Sequence, residues 1–289
     1  MKGALPKFSR AQIQKAVKEG AILVNGKPAK SSHILKEKDE ISSELKEPEK
    51  MTLVPQDLGV DVIFENKDYV VINKPAGMAV HPGIRTAGGT VANWLLFKYP
   101  DIKKAGEDPL RPGIVHRLDK DTSGLMVAAK NKKTFNYFKK LFKKRSVQKK
   151  YITLVSGKVR ENKGKIELAI GRSKRNPTRQ KAVLAQSTVL KEKPALTYFR
   201  VLKRFNDFTL LDVSPKTGRM HQIRVHFAAL HSPVAGDGKY GFRAASKTEQ
   251  PPRQFLHAYY LKFKDPAGRN REFKIGLAPD LKKFLQKLR

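Results

Sequence analysis

Short, continuous apolar runs recur along this chain, and no regular alternation of strand and helix links them. Residues 69–72 and 125–129 are uninterrupted apolar stretches, and residues 151–155 are β-branched and aromatic. Runs of four or five such residues suit strands buried on both faces. Residues 197–201 and 208–213 read as further strands, and Val62 and Phe64 alternate with polar neighbours ahead of a turn at residues 66–68. Helical spacing stands out in two places in this part of the chain. Asn131 is placed to cap a helix carrying Phe135, Phe138 and Phe142 on one face, and Ile223, Phe227 and Leu230 recur helically within residues 220–231. Strands and helices are thus interspersed with irregular loops, which predicts an α+β fold rather than a doubly wound parallel sheet.

Charge restricts the partners. The 289 residues hold 60 Lys and Arg against 26 Asp and Glu, a net charge of +34. That excess is far beyond what solubility needs and points to a polyanion, because each phosphate neutralised releases condensed counterions. With no run approaching the ~20 apolar residues of a membrane span, nucleic acid is the expected partner and a membrane is not. The absence of cysteine excludes thiol nucleophiles, disulfides and Cys-ligated zinc. No H-E-x-x-H occurs, so no metal site is expected, and the start lacks a secretory apolar segment, so the cytoplasm is the default compartment. A monomer is likewise the default.

The first 50 residues read as a small module. Ser9 and Gln12 have capping-box spacing, Ile13, Ala16 and Val17 form one helical face, and Gly20 suits a helix end. A strand over residues 21–24 leads into Asn25-Gly26, a two-residue hairpin turn, and residues 36–41 can carry another strand. Residues 44–57, with Pro48 and Pro55, have linker composition. A larger domain is expected over residues 60–289.

Three places combine reactive side chains with turn residues. Asp119 follows His116, Arg117 and Leu118 and precedes Lys120, Asp121, Thr122, Ser123 and Gly124, on a loop between two apolar runs. Flanking cations suit a carboxylate that acts in its charged form; an Asp that caps its own turn fits the same residues. Tyr151, after Lys149 and Lys150, can stack on a base while the lysines hold phosphates, or be an ordinary strand tyrosine. Arg224 sits at the edge of an apolar helix face, three residues after His221, where it can hold a carboxylate bidentately or belong to a solvated basic face. Gly88-Gly89-Thr90 is a loop without the Gly-Lys-Ser/Thr of a phosphate-binding loop.

Taken together, these segments resemble one family. Asn73-Lys74-Pro75-Ala76-Gly77-Met78-Ala79-Val80-His81-Pro82, the string Gly113-Ile114-Val115-His116-Arg117-Leu118-Asp119-Lys120-Asp121-Thr122-Ser123-Gly124-Leu125, and Gly218-Arg219-Met220-His221-Gln222-Ile223-Arg224-Val225-His226 with Gly236-Asp237 to Tyr240-Gly241 stand in the order of the bacterial pseudouridine synthases of the ribosomal large-subunit type. Ser9-Arg10-Ala11-Gln12-Ile13 and residues 20–26 resemble the RNA-binding module named after ribosomal protein S-four, whose usual first helix, with Arg-Leu-Asp, does not fit within residues 1–7. The resemblance implies a mixed, mostly antiparallel sheet crossed by a basic cleft. It implies a reaction without a cofactor, in which the uridine bond from ribose to nitrogen 1 is replaced by one to carbon 5. Asp119 would be the catalytic carboxylate, either attacking ribose carbon 1 or promoting loss of the 2′ proton. Arg224 would pair with Asp119. Tyr151 would stack on the uracil and help remove the proton from carbon 5. His116, Arg117, Leu118, His221, Gln222 and Ile223 would bind substrate, with Arg117 occupying the space of the extruded nucleotide. The expected partner is structured RNA, foremost large-subunit rRNA or its precursor. Two basic runs, Lys139, Lys140, Lys143, Lys144 and Arg145, and Arg172, Lys174, Arg175, Arg179 and Lys181, are expected to supply phosphate contacts. A non-catalytic RNA-binding factor also explains the charge, and a base-removing glycosidase also uses a carboxylate at carbon 1.

Overall fold

In a computed structural model the apolar runs become the inner strands of one sheet. The structure describes residues 5, 8, 10–45, 52–83, 86–184, 189–241 and 249–288, and the chain divides into two units, Met1–Thr52 and Leu53–Arg289.

In the first unit, helix α1 (Arg10–Lys18) buries Ile13, Ala16 and Val17, the face its spacing predicts. Strands β1 (Ile22–Val24) and β2 (Lys27–Pro28) are joined through Asn25 and Gly26, both at positive φ (52° and 72°), as a tight hairpin turn requires. The third strand, β3 (Ile41–Ser43), starts where residues 36–41 were expected to end. Asp39 accepts the Lys36 N–H at 2.9 Å and Lys38 takes a φ of 81°, so a turn displaces the anticipated strand. Ser9 and most of residues 1–7 lie outside the described residues, and with them the expected capping box and the question of a first helix.

The second unit begins with β4 (Asp61–Glu65), β5 (Tyr69–Lys74) and helix α2 (Val91–Lys98), then β6 (Ser123–Ala129), α3 (Lys132–Lys143) and β7 (Gln148–Ser156). Next come β8 (Lys163–Glu167), β9 (Ile170–Ser173), β10 (Gln180–Ala182), β11 (Val189–Lys193), β12 (Leu196–Arg204), β13 (Phe208–Pro215) and α4 (Gln222–Ala229). The chain closes with β14 (Leu256–Lys264), β15 (Asn270–Lys274) and α5 (Pro279–Gln286). The main sheet runs β4-β5-β6-β14-β7-β13-β12-β8, with β15 also on β14. Among the described strands only the β14–β6 pair is parallel, so the sheet is mixed and mostly antiparallel. Strands β9, β10 and β11 form a separate three-stranded sheet.

The inner strands alternate between two cores, which explains why they read as continuous apolar runs. Val70, Ile72, Met126 and Ala128 pack on one face with Trp94 of α2 and Phe227 of α4. Tyr69, Val71, Leu125 and Val127 pack on the other with Phe135 and Phe138 of α3. Each Val, Leu, Ile, Met or Phe side chain so removed from water contributes about 1.5–3 kcal/mol. Asn131 caps α3 by accepting the Thr134 N–H at 2.9 Å, as expected.

The sequence did not announce α2. Its cap is Thr90, from the supposed Gly88-Gly89-Thr90 loop, which forms a reciprocal capping box with Asn93. Part of the supposed linker joins the larger unit: Asn93 donates to the Val54 carbonyl at 2.8 Å, and Gln56 accepts the Gly89 N–H at 2.6 Å. Helix α4 is shorter than residues 220–231, because His221 takes a φ of 56°, and Leu230 lies exposed beyond the last turn instead of in the core. No helix among the described residues is long and apolar enough to cross a membrane.

Candidate active site

The Asp119 loop is anchored at both ends by glycines that no other residue could replace without moving the backbone. A Cβ on Gly113, at φ 69°, would lie 2.2 Å from the Ala129 carbonyl oxygen, and one on Gly124 would lie 2.3 Å from that of Ala258. Between them the loop is tied from below by buried side chains. Lys74, fully buried at the end of β5, donates to the carbonyls of Pro75 (2.7 Å), Met78 (2.8 Å) and Lys120 (2.9 Å). Burial pushes its amine down to about 7, yet three donated bonds need the three protons of the ammonium. Arg253 donates to the Asp121 carbonyl and to Ser123 Oγ, both at 2.9 Å, while ion-paired to Asp280. Gln254 donates to Thr122 Oγ1 at 2.8 Å.

So held, Asp119 meets Arg224 across 105 residues of chain: Nη1 donates to Oδ2 at 2.8 Å. The rest of that guanidinium is occupied by Asp237, through Nε to Oδ2 at 2.7 Å and Nη2 to Oδ1 at 2.8 Å. Backbone N–H groups of Lys239 and Tyr240 also donate to Asp237 Oδ1. Burial opposes both charges, but their mutual attraction outweighs it. Arg224 is held above, and Asp237 below, the ordinary range. The Tyr240 ring lies 5.1 Å from the guanidinium carbon.

A second line of polar groups runs toward the same carboxylate. The Tyr240 hydroxyl accepts the Gln180 N–H at 2.9 Å and is hydrogen-bonded to His221 Nδ1 at 2.7 Å. On the other side of the ring, His221 Nε2 faces Asp119 Oδ1 at 3.8 Å. Burial lowers the His221 pKa to about 4, so the ring is neutral.

Asp119, Tyr151 and Arg224 line one recess of about 240 Å³, with Arg117, Lys149 and Met220 among its walls. Burial, and secondarily the charge of Asp119, push the Tyr151 phenol well above its ordinary range, so it stays protonated. Arg117 is exposed at the mouth. The other anticipated binding residues are less available. Leu118 and Ile223 are largely buried in the core, where they also line the recess. Gln222 lines it, but its amide is spent on Thr217, Arg219, Leu196 and Thr197. His116 turns away: its ring stacks on Phe142 at 4.6 Å and Nε2 accepts the Val127 N–H at 3.1 Å. Burial lowers its pKa to about 3, as suits an acceptor.

Sequence reasoning assigned no role to Asp237, Lys74 or Tyr240, although all three stand within the family-like segments. A lysine closing an otherwise apolar strand was a usable signal for Lys74. Nothing local marks Asp237, whose partner lies on another element. No cluster of three or more metal-ligating side chains occurs among the described residues.

Residues 68–229 match the family described as RNA pseudouridylate synthase, and residues 4–41 match the S4 domain. The chain is 38% identical to the uncharacterized RNA pseudouridine synthase YlyB of Bacillus subtilis, over 98% of this chain and 90% of that one. It is 36% identical to ribosomal large subunit pseudouridine synthase D of Vibrio parahaemolyticus, over 98% and 87%. Among solved structures, human RNA pseudouridylate synthase domain containing 1 superposes with a TM-score of 0.62 at 26% identity, covering 81% of this chain and 96% of that one.

Proposed function

The chain belongs to the RNA pseudouridylate synthase family, and from that premise we propose that it isomerises uridines of large-subunit ribosomal RNA with Asp119 as the essential carboxylate. The observation that carries this is the Asp119–Arg224 pair at 2.8 Å, facing the same recess as Tyr151 although the three residues come from separate segments. A relative's name, ribosomal large subunit pseudouridine synthase D, supports the choice of RNA. The S4 match supports a second RNA contact.

In this reaction the bond from ribose carbon 1 to nitrogen 1 breaks, the uracil turns, and carbon 5 takes its place. Carbon 5 gives up a proton and nitrogen 1 gains one. Asp119 either attacks carbon 1 or accepts the 2′ proton, and both routes need a carboxylate at a fixed position. Arg224 fixes it by binding Oδ2, which leaves Oδ1 turned toward His221. Arg224 has little freedom of its own, because Asp237 holds two of its nitrogens. The buried, protonated Tyr151 suits a stacking platform for the uracil. It can pass on the carbon 5 proton only as its own phenol proton leaves. Arg117, exposed at the mouth, is free to fill the stack vacated by the target.

The test is incubation with unmodified large-subunit rRNA, then mapping by carbodiimide labelling. One or a few uridines become pseudouridine with wild-type protein, and none with Asp119→Asn although RNA is still bound. Free uracil as product would indicate a glycosidase instead.

A further inference from the structure

A second recess, of about 390 Å³, adjoins the Asp119 recess and shares Arg117, Lys149, Thr217, Gly218 and Arg219 with it. Its charged lining is Arg117, Lys143, Arg145, Lys149, Lys216 and Arg219, with no carboxylate. None of the six forms an ion pair with a described carboxylate. Lys149 is the most constrained of them. It lies two residues before Tyr151 on β7 and therefore points to the same face of the sheet. Its amine is half-buried, 5.7 Å from the centre of the Phe142 ring and close to Gly218. Burial lowers its pKa to about 8. The opposite flank of the Asp119 recess differs. There Asp119 and Asp121 contribute negative charge beside Lys120 and Lys239, and Arg224 and Arg253 are already bound to carboxylates.

A base seated beside Asp119 and Tyr151 must bring its flanking phosphates to the mouth of that recess. We infer that the second recess binds a backbone phosphodiester next to the target uridine, with Lys149 as the inner contact and Lys143, Arg145 and Lys216 at the rim. Polyanion strands bind most strongly where cations lack internal partners, and this recess is where the chain collects them beside its site. The inference rests on the uridine-isomerising reading only for the identity of the neighbouring nucleotide.

The test measures binding of the full chain to in vitro transcribed large-subunit rRNA over a range of salt, separately from turnover. Removing one phosphate-binding cation makes the slope of log affinity against log salt shallower by about 0.7 on single-stranded RNA. Lys149→Gln is expected to lower the slope by about 0.7, and Lys143→Gln with Lys216→Gln by about 1.4. Lys282→Gln with Lys283→Gln, exposed on α5 and outside the recess, is the equal-charge control and leaves the slope alone. An unchanged slope in the rim variant, or an equal drop in the control, would overturn the inference. Because binding is read without chemistry, a protein that made no pseudouridine would refute the isomerase reading and still leave this one to be judged.

Discussion

On the α4 side of the Asp119 recess the charges of Arg224 and Asp237 are answered from within the protein. Arg224 has a carboxylate on each side, and Asp237 is saturated by guanidinium and backbone N–H groups. On the β7 side six cations line a hollow and none is ion-paired to a described carboxylate. The first arrangement is rigid and has a fixed geometry before any substrate arrives, as a group that must meet one carbon atom requires. The second carries an unmet electrostatic demand, which suits a surface that recruits a polyanion. One recess wall is therefore built for position and the other for attraction, and substitutions should separate the two.

The largest stability effect is expected from Asp237→Ala, which strands a buried guanidinium. Breaking a buried pair from one side costs about 3–5 kcal/mol, to be read by chemical denaturation. The same pair predicts acid sensitivity. Asp237 has a folded pKa below its ordinary value of 3.8. Its stabilisation is therefore present above that value and lost as pH falls through the folded pKa. Asp237→Asn should flatten the wild-type loss of stability below about pH 4; an unaltered acid limb would show that the pair does not hold the fold.

Lys74→Met comes next. It removes the donor shared by three carbonyls, each worth about 1–3 kcal/mol if left unsatisfied, and it loosens the backbone beside Asp119. We expect kcat to fall more than RNA affinity. An equal loss in both would place Lys74 outside the positioning network. Tyr151→Ala should weaken RNA binding by about 1–3 kcal/mol, the worth of one stacked base, whereas Tyr151→Phe keeps affinity. Loss of affinity in the Phe variant would mean that the hydroxyl, not the ring, makes the contact. Smallest of all, Arg145→Gln at the recess rim should reduce the salt slope by about 0.7 with kcat unaltered.

Legibility in the sequence followed the range of the interactions. The β5 and β6 strands, the Asn131 cap and the Asn25-Gly26 turn were readable because period, cap and turn chemistry are local. Helix α2 was hidden because its cap, Thr90, follows two glycines and its residues, Asn93 and Lys98 apart, are apolar and show no one-sided spacing. Residues 36–41 misled because an Asp39 side chain competes for the backbone there. At the site, Asp119, Tyr151 and Arg224 could be proposed from their strings, but read alone Asp119 fitted a turn residue better than a nucleophile. Its distance from Arg224 is a fact of tertiary structure. Asp237 and the unpaired state of Lys149 are likewise properties of neighbours distant in sequence.

The positional wall has one purpose, to present Asp119, and that can be tested without knowing which route the carboxylate takes. Large-subunit rRNA transcribed with uridine tritiated at carbon 5 releases its label to water only when carbon 5 exchanges its proton for the new bond. Under single-turnover conditions, with enzyme in excess, wild-type protein should release label from a small number of uridines. Asp119→Asn should bind the same RNA and release none. Release by that variant at a rate near wild type would contradict the central claim.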